Sequence, residues 1–248
     1  MIDPTLFADP QALDRVQHRT LCLKPAGTRY DRTAGMNALF ITAVEFGDVC
    51  REYPIVFVDA GQGADGKREV APMAVLGLEP GENLMLGADG GWAARYTPAL
   101  LRGYPLGLAR VDDKSYTLYF DAKADAMSPD EGERLFDDAS QPTPWLAERL
   151  RFLEEIERET QRTRQFGRRL LELELLRPMR FDATTPDGGT LSVDGFLALN
   201  EEKLAALTAA TVYDLHRSGV LSLIHAQQIS LGLMRALVER RVARRVTA

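Results

Sequence analysis

The chain has few of the residues that build disulfides, metal sites and membrane spans. It holds two cysteines and three histidines among 248 residues. Two cysteines are too few for a disulfide framework, so Cys22 and Cys50 are predicted to be small core residues, and their role stays open. No H-x-D, H-x-E or H-E-x-x-H pattern occurs. The sequence therefore predicts no metal site and no cofactor.

Long apolar runs and an excess of positive charge are missing as well. No stretch approaches the ~18 consecutive apolar residues that a membrane-spanning helix needs. The opening MIDPTLFADP has no basic leader before an apolar run, unlike a secretory signal. The formal net charge is -6, which disfavours nucleic acid as the main partner. We therefore expect a cytoplasmic protein without a transmembrane segment.

What is present is an ordinary globular composition with two styles of patterning. Apolar, β-branched runs dominate the first half, as in YPIVFVDA (53–60) and VAPMAVLGL (70–78), and their connections are too short for parallel crossovers. Helical spacing dominates the second half. The pattern predicts an α+β fold, with a mostly antiparallel sheet lobe followed by a helical lobe that contains one long helix and a β-hairpin.

This pattern also predicts domain boundaries. Residues 1–36 are weakly patterned and are interpreted as an N-terminal extension. Residues 37–248 are predicted to form a single domain, and its three parts are a β-rich lobe 37–127, a polar, proline-rich linker 128–143, and a helical lobe with the hairpin, 144–248.

Local signals place several elements. Thr42 with Glu45 forms a capping-box pattern that predicts a helix start, and Thr143-Pro144 opens a long helix that runs towards Pro178. The remaining predictions are a short helix within 9–19, strands at 83–87, 106–111 and 115–122, a short helix after Pro98, a hairpin over 179–199 that turns at PDGG, helices capped by Asn200 and Thr208, and a last helix over 221–240.

GQGADG at 61–66 matches G-x-G-x-x-G after a predicted strand. A dinucleotide site needs a helix directly afterwards, whereas the continuation KREVAPMAVLGL is typical of a strand. We therefore interpret the motif as a hairpin loop with a turn at Asp65-Gly66.

The most promising binding pattern mixes arginine with aromatic residues: Trp92, Arg95, Tyr96, Arg102 and Tyr104. We call this set the Arg-Tyr segment. Arginine offers a planar fork for carboxylate or phosphate, and aromatic rings offer flat apolar surface. The segment could line an anion or peptide pocket. The alternative is that the tyrosines are core residues and the arginines pair with loop acids.

His216 is the remaining candidate. It lies near the end of a predicted helix and could meet His225 from the next one. A capping or packing histidine near a helix C-terminus is the alternative interpretation.

Several ordered stretches together resemble the SapC family: TAVEFGDVCREYPIVFV, LGLEPGENLML, WAARYTPALLRGYPL, ELLRPMRFDATTPDGG and YDLHRSGVLSLIHAQQISL. The likeness covers about residue 37 to the last helix. The departures are Gln227, where the family has histidine, and the glycine-rich loop 61–66. The resemblance implies association with the bacterial surface layer. It also implies a gene encoded beside those of TonB-dependent receptors, flavin-dependent halogenases and oxygenases. No reaction is settled for the family.

Three hypotheses follow. The first is a non-catalytic accessory protein that binds a peptide or protein client through the Arg-Tyr segment, with the long helix used for self-association or partner docking. The alternative is an enzyme, or an enzyme's partner, that modifies a peptide or imported ligand in a deep pocket holding Arg95, Tyr96 or His216. The third is a glycan-binding factor in which Trp92 and Tyr96 stack on sugar.

Overall fold

The computed structural model describes residues 4–24, 29–63, 65–110, 115–184 and 189–247. Contacts divide the chain into two compact units. Unit 1 comprises Met1–Thr33, Leu86–Trp92 and Ala99–Arg158, and unit 2 comprises Ala34–Met85, Ala93–Pro98 and Glu159–Ala248. The α+β prediction is confirmed. The predicted boundaries at 36, 127 and 143 concern a different division and stay a prediction.

The strands, in chain order, are β1 Pro10–Ala12, β2 Cys22–Leu23, β3 Ala38–Phe40, β4 Ile55–Gln62, β5 Arg68–Val75, β6 Leu106–Arg110, β7 Tyr116–Asp121, β8 Met127–Ser128, β9 Glu133–Arg134, β10 Leu176–Thr184 and β11 Thr190–Leu199. The α-helices are α1 Phe46–Val49, α2 Ala99–Gly103, α3 Pro144–Glu172, α4 Glu201–Ala205, α5 Ala209–Arg217, α6 Val220–Ser230 and α7 Met234–Thr247. Within the described residues, 3₁₀ turns span Asp31–Thr33, Ala43–Glu45 and Leu231–Leu233.

Unit 1 contains two small antiparallel sheets, ordered β1-β7-β6 and β8-β2-β9. Its core joins β6, β7 and the first half of α3 through Leu106, Phe120, Leu146, Leu153 and Ile156. The three α3 residues lie seven and three positions apart, which is the spacing of one helix face. The start of α3 is therefore held by a single apolar stripe.

Unit 2 contains a five-stranded antiparallel sheet ordered β10-β11-β4-β5-β3. β11 joins β4 where Leu197 is opposite Phe57. Phe166 of α3 contacts Phe46 and Phe57, with ring centroids 5.7 and 6.0 Å apart. The C-terminal hairpin thus completes a sheet that the first half of the chain begins.

The long helix is confirmed but ends earlier than predicted. Thr143 Oγ1 accepts from Leu146 N at 3.3 Å and caps the start. After Glu172 the chain turns at Glu174, whose φ of 53° lies in the left-handed region. Pro178 lies within β10, an edge strand where the missing N–H leaves no gap in the ladder.

The capping box at Thr42 and Glu45 is present and opens the 3₁₀ turn that leads into α1. Asn200 and Thr208 cap α4 and α5 by accepting from Lys203 N and Thr211 N. The 179–199 hairpin is confirmed as β10–β11, while Pro186, Asp187 and Gly188 of its predicted turn lie outside the described residues.

The glycine-rich motif lies at a hairpin loop, as predicted. Gly61 and Gln62 end β4, Asp65 and Gly66 lie in the turn, and β5 follows from Arg68. Ala64 of the motif lies outside the described residues. Arg168 of α3 holds the loop, because its Nη2 donates to Glu69 Oε1 at 2.6 Å and its Nη1 lies 3.2 Å from Asp65 Oδ2. The glycines of the motif therefore belong to a hairpin and do not form a phosphate-binding loop.

Three local predictions are wrong. Residues 9–19 form β1 and then turns, because Pro10–Ala12 pair with β7 and only a single turn follows, in which Asp14 Oδ1 accepts from Val16 N and Gln17 N. Residues 83–87 form no strand beyond an isolated bridge of Leu86 to Trp92, since Asn83 Oδ1 folds back to Met85 N. The last helix is divided into α6 and α7 by the 3₁₀ turn Leu231–Leu233.

Candidate functional site

A buried carboxylate at the end of β7 organises a polar centre in unit 1. Asp121 is 0% exposed. Its Oδ2 accepts from the Tyr104 hydroxyl at 2.8 Å. Tyr104 follows directly after α2, where Gly103 comes so close to Leu153 that an added Cβ would lie 3.0 Å from Leu153 Cδ2. The glycine therefore lets α2 lie close against Leu153 of α3, and a Cβ at this position would require the Leu153 side chain to shift.

Asp121 also binds the backbone of the chain's first described residues. Ala8 N donates to Oδ2 at 3.0 Å and Asp9 N to Oδ1 at 2.9 Å. Lys123 N donates to Oδ1 at 3.1 Å. The carboxylate thus collects four donors, and two of them are consecutive N–H groups of one piece of chain, which turns at residues 4–6, bends at Ala8 and Asp9 and then enters β1.

That piece, residues 4–12, is called the N-terminal segment below. Its Leu6 and Phe7 side chains are 2% and 5% exposed, and the Phe7 ring meets the Tyr104 ring edge-on, with centroids 5.4 Å apart. Its last residues form β1, which pairs with the edge of β7. The segment is therefore held by apolar side chains, by one carboxylate and by strand pairing together.

The surface that receives the segment is called the Asp121 groove. Its apolar wall consists of Leu100, Leu106, Leu108, Leu153 and Ile156, and Leu6 and Phe7 close it. With the segment in place, the free cavity is about 10 Å³, about the space that one water-sized probe occupies. The groove is thus closely filled by the chain itself.

The charges of the groove are set by this arrangement. Burial pushes the pKa of Asp121 upward, but the hydrogen bonds from Ala8 N, the Tyr104 hydroxyl and Asp9 N outweigh burial, so the pKa lies below its ordinary value. Burial, together with the bond to Asp121, raises the pKa of the Tyr104 hydroxyl. At neutral pH the groove therefore presents an ionised carboxylate beside a protonated phenol.

The other predicted residues of unit 1 make different contacts. Trp92 packs against Tyr30, with ring centroids 5.4 Å apart. The Arg102 guanidinium lies over the Phe152 ring, 5.2 Å from its centroid. Tyr104 contacts the N-terminal segment through the Phe7 ring.

In unit 2, Tyr96 is anchored through each of its polar groups. Its N–H donates to Glu52 Oε1 at 3.1 Å, and its carbonyl accepts from the Tyr53 hydroxyl. Its own hydroxyl donates to Glu45 Oε1 at 3.0 Å. Glu45 is the buried acid of the capping box. These contacts make Tyr96 part of the framework that holds α1.

Arg95 and His216 are also in unit 2, and both side chains are exposed. Arg95 N donates to Glu52 Oε2 at 2.6 Å, next to the Tyr96 contact. His216 lies in the last turn of α5. The six predicted residues are thus divided between the units, with Trp92, Arg102 and Tyr104 in unit 1 and Arg95, Tyr96 and His216 in unit 2.

Asp121, Leu6 and Phe7 were not among the residues predicted from the sequence. An acid that directly follows the apolar end of a strand, as in YTLYFD, is one available signal. Another is the isolated Leu6-Phe7 pair within a polar stretch. Neither signal predicts that the segment containing Leu6 and Phe7 binds Asp121, because the Ala8–Asp121 contact spans 113 positions of the chain.

Among the described residues, no three His, Cys, Asp or Glu side chains are grouped so that they could hold a metal ion. The helices within the described ranges are too short or too polar to cross a membrane.

A family model described as SapC matches residues 13–237. Neither the curated proteins nor the solved structures gave a match to the chain. The matched range contains the apolar wall, Tyr104 and Asp121. It begins directly after the N-terminal segment, which lies outside it.

Proposed function

Because this chain belongs to the SapC family, we propose that it is a SapC-like accessory protein that binds a peptide segment of a client in the Asp121 groove. One observation carries the proposal. The groove belongs to the part of the chain that the family model matches, and it holds a peptide-like segment from outside that part. The N-terminal segment then serves as an intramolecular stand-in for the client.

Strand addition is the mode of binding that this geometry supports. Ala122 N donates to Asp9 O at 2.9 Å, and Leu13 N donates to Leu118 O at 2.8 Å, so the segment extends the β7 edge. In this mode the main-chain hydrogen bonds supply affinity and the side-chain pockets supply specificity. The favoured client has an apolar and an aromatic residue side by side, then a bend of two residues with free N–H groups for Asp121, and then a short strand that pairs with β7.

A client must displace the N-terminal segment. A short tether gives such a segment an effective concentration on the order of millimolar. The wild-type chain should therefore bind added peptide weakly, and weakening the segment should raise the apparent affinity for added peptide by at least about tenfold.

The test uses the full chain and a labelled peptide, PTLFADPQAL, which copies residues 4–13. The variant Leu6→Ser/Phe7→Ser removes the segment's apolar contacts and should bind the peptide by fluorescence anisotropy, whereas a peptide with both residues replaced by serine should not bind. Val16→Ser is the matched control, because Val16 is 74% exposed in unit 1, and it should behave as wild type.

The proposal is wrong if the double variant keeps its native circular dichroism and does not bind the peptide at about 1 mM. Equal binding by wild type and variant would also refute it. If the double variant does not fold, the single variant Phe7→Ala replaces it in the same anisotropy measurement. Absence of peptide binding by a folded Phe7→Ala chain would then refute the proposal.

We further propose that the protein acts in the cytoplasm and that its client belongs to a bacterial cell-surface or outer-membrane uptake system, as the family resemblance implies. Fractionation of cells that express the tagged chain checks the location, and recovery in the periplasmic or membrane fraction would contradict it.

A further inference from the structure

The N-terminal segment makes a further polar contact, upstream of its bonds to Asp121. Arg32 Nε donates to the Leu6 carbonyl oxygen at 3.2 Å. Arg32 belongs to unit 1 and to the range that the family model matches, whereas Leu6 lies before that range. Two side chains from separate parts of the matched range, Arg32 and Asp121, therefore bind main-chain groups of the same segment.

The position of Arg32 is fixed by its turn. Arg32 lies in the 3₁₀ turn Asp31–Thr33. Thr33 is 1% exposed, and its N–H and its hydroxyl both donate to Tyr30 O, at 2.8 and 2.7 Å. The Tyr30 ring in turn packs against Trp92. The turn that presents Arg32 to the segment is therefore anchored by a buried threonine and an aromatic pair.

The charges along the groove complement the main chain of the segment. Burial, and after it the bond to Asp121, raises the pKa of the Tyr104 hydroxyl, while the positive charge of Arg32 acts on the same hydroxyl in the opposite direction. Such an effect requires Arg32 to lie near Tyr104. The groove thus presents a cation where the segment offers a carbonyl oxygen, and an anion where the segment offers N–H groups.

The spacing of these contacts allows one register of the segment. Arg32 binds the carbonyl of one residue, and Asp121 binds the N–H groups of Ala8 and Asp9, two and three residues further on. If the chain slipped by one residue, Asp9 and Pro10 would take those two places. Pro10 has no N–H, so the buried carboxylate would lose a donor, which is costly.

We infer that Arg32 is a further specificity-determining residue of the Asp121 groove, which together with Asp121 binds the main chain of the client and fixes its register. The inference rests on the proposed function and defines its class of client more closely. The client offers a carbonyl to Arg32 and N–H groups two and three residues later. Proline is therefore excluded at those two positions and accepted directly after them, as Pro10 is in the N-terminal segment.

Hydrogen exchange of the full chain tests the contact on the N-terminal segment itself. Arg32→Met removes the donor, and because Arg32 is exposed the chain should keep its fold. The Ala8 and Asp9 amides should exchange about three- to tenfold faster than in wild type. Arg134→Met is the matched control, because Arg134 is an arginine of unit 1 that is 44% exposed and pairs with Asp138, and it should leave both rates unchanged. Unchanged rates in Arg32→Met overturn the inference.

An ester peptide tests which group of the client Arg32 binds. The Leu6→Ser/Phe7→Ser chain, with and without Arg32→Met, is given the labelled peptide PTLFADPQAL or the same peptide with an ester in place of the amide between its leucine and phenylalanine. The ester carbonyl is a weaker acceptor, so the ester should bind at least about threefold more weakly when Arg32 is present. This difference should shrink in Arg32→Met. A merely structural role of Arg32 would weaken both peptides alike, so an equal ester effect with and without Arg32 overturns the inference.

These outcomes separate the inference from the proposed function. If both peptides bind and Arg32→Met changes neither affinity, the proposed function stands and the role of Arg32 is refuted. If neither peptide binds, the proposed function fails, and the exchange rates of Ala8 and Asp9 alone decide whether Arg32 holds the N-terminal segment.

Discussion

Replacing Asp121 by asparagine is the sharpest test of how the N-terminal segment is held. The substitution keeps size and shape but leaves one oxygen where two now accept four hydrogen bonds. If the remaining oxygen serves Asp9 N and Lys123 N, the new amide faces Ala8 N and the Tyr104 hydroxyl. That hydroxyl can rotate and accept, but the Ala8 N–H then has no acceptor.

The cost follows from these contacts. A buried donor without an acceptor costs about 1–3 kcal/mol, and a hydrogen bond to a charged group exceeds one to a neutral group by about 1 kcal/mol. Removing a buried charge offsets part of this loss. We expect Asp121→Asn to lower the free energy of unfolding of unit 1 by about 2–4 kcal/mol, which would lower its urea midpoint by about 1–3 M.

Tryptophan fluorescence is the suitable assay, because the chain's two tryptophans, Trp92 and Trp145, both lie in unit 1. Hydrogen exchange should show that the Ala8 and Asp9 amides lose protection. Asp138→Asn is the control, since Asp138 is 87% exposed, and its effect should stay within about 0.5 kcal/mol. An Asp121→Asn variant with an unchanged midpoint and protected amides would refute the reasoning.

Three further predictions follow. The folded pKa of Asp121 is lowered, so its stabilisation should be present above the unfolded pKa of about 3.9 and lost as pH falls through the folded pKa; acid titration by fluorescence should show this loss in wild type and not in Asp121→Asn. Gly167→Ala should lower the melting temperature, because the new Cβ would lie 2.8 Å from Val70 O, whereas Gly47→Ala has open space and should not lower it; equal effects in calorimetry would contradict this. Tyr96→Phe should cost about 1 kcal/mol through loss of the bond to Glu45 and leave peptide affinity unchanged; a weaker peptide affinity would place Tyr96 in the binding site after all.

Local sequence patterns predicted those elements that are stabilised by contacts between residues close in sequence. Thr42 with Glu45, Asn200 and Thr208 each satisfy backbone groups within three positions, so the pattern alone predicts those helix starts. The hairpin loop at 61–66 was predicted correctly for the same reason, since the strand that follows was visible in the residues themselves.

Distant pairings were not predictable in this way. The contact of Leu197 with Phe57 places a C-terminal strand beside β4, and the apolar pattern of either strand fits many partners. The candidate site depends on such a contact as well. Tyr104 was among the predicted residues, but its partner Asp121 and its ligand-like neighbour Phe7 come from separate parts of the chain.

The strand order of the five-stranded sheet has a consequence for synthesis on the ribosome. β3, β4 and β5 emerge early, yet the edge of β4 receives β11 only after residue 199 has been made. During that interval a strand beginning with Ile55, Val56 and Phe57 has an unpaired edge, which is a template for aggregation. A nascent chain that stalls before the β10–β11 hairpin has been made should therefore depend on chaperones. A chain released after the hairpin has been made should not depend on them.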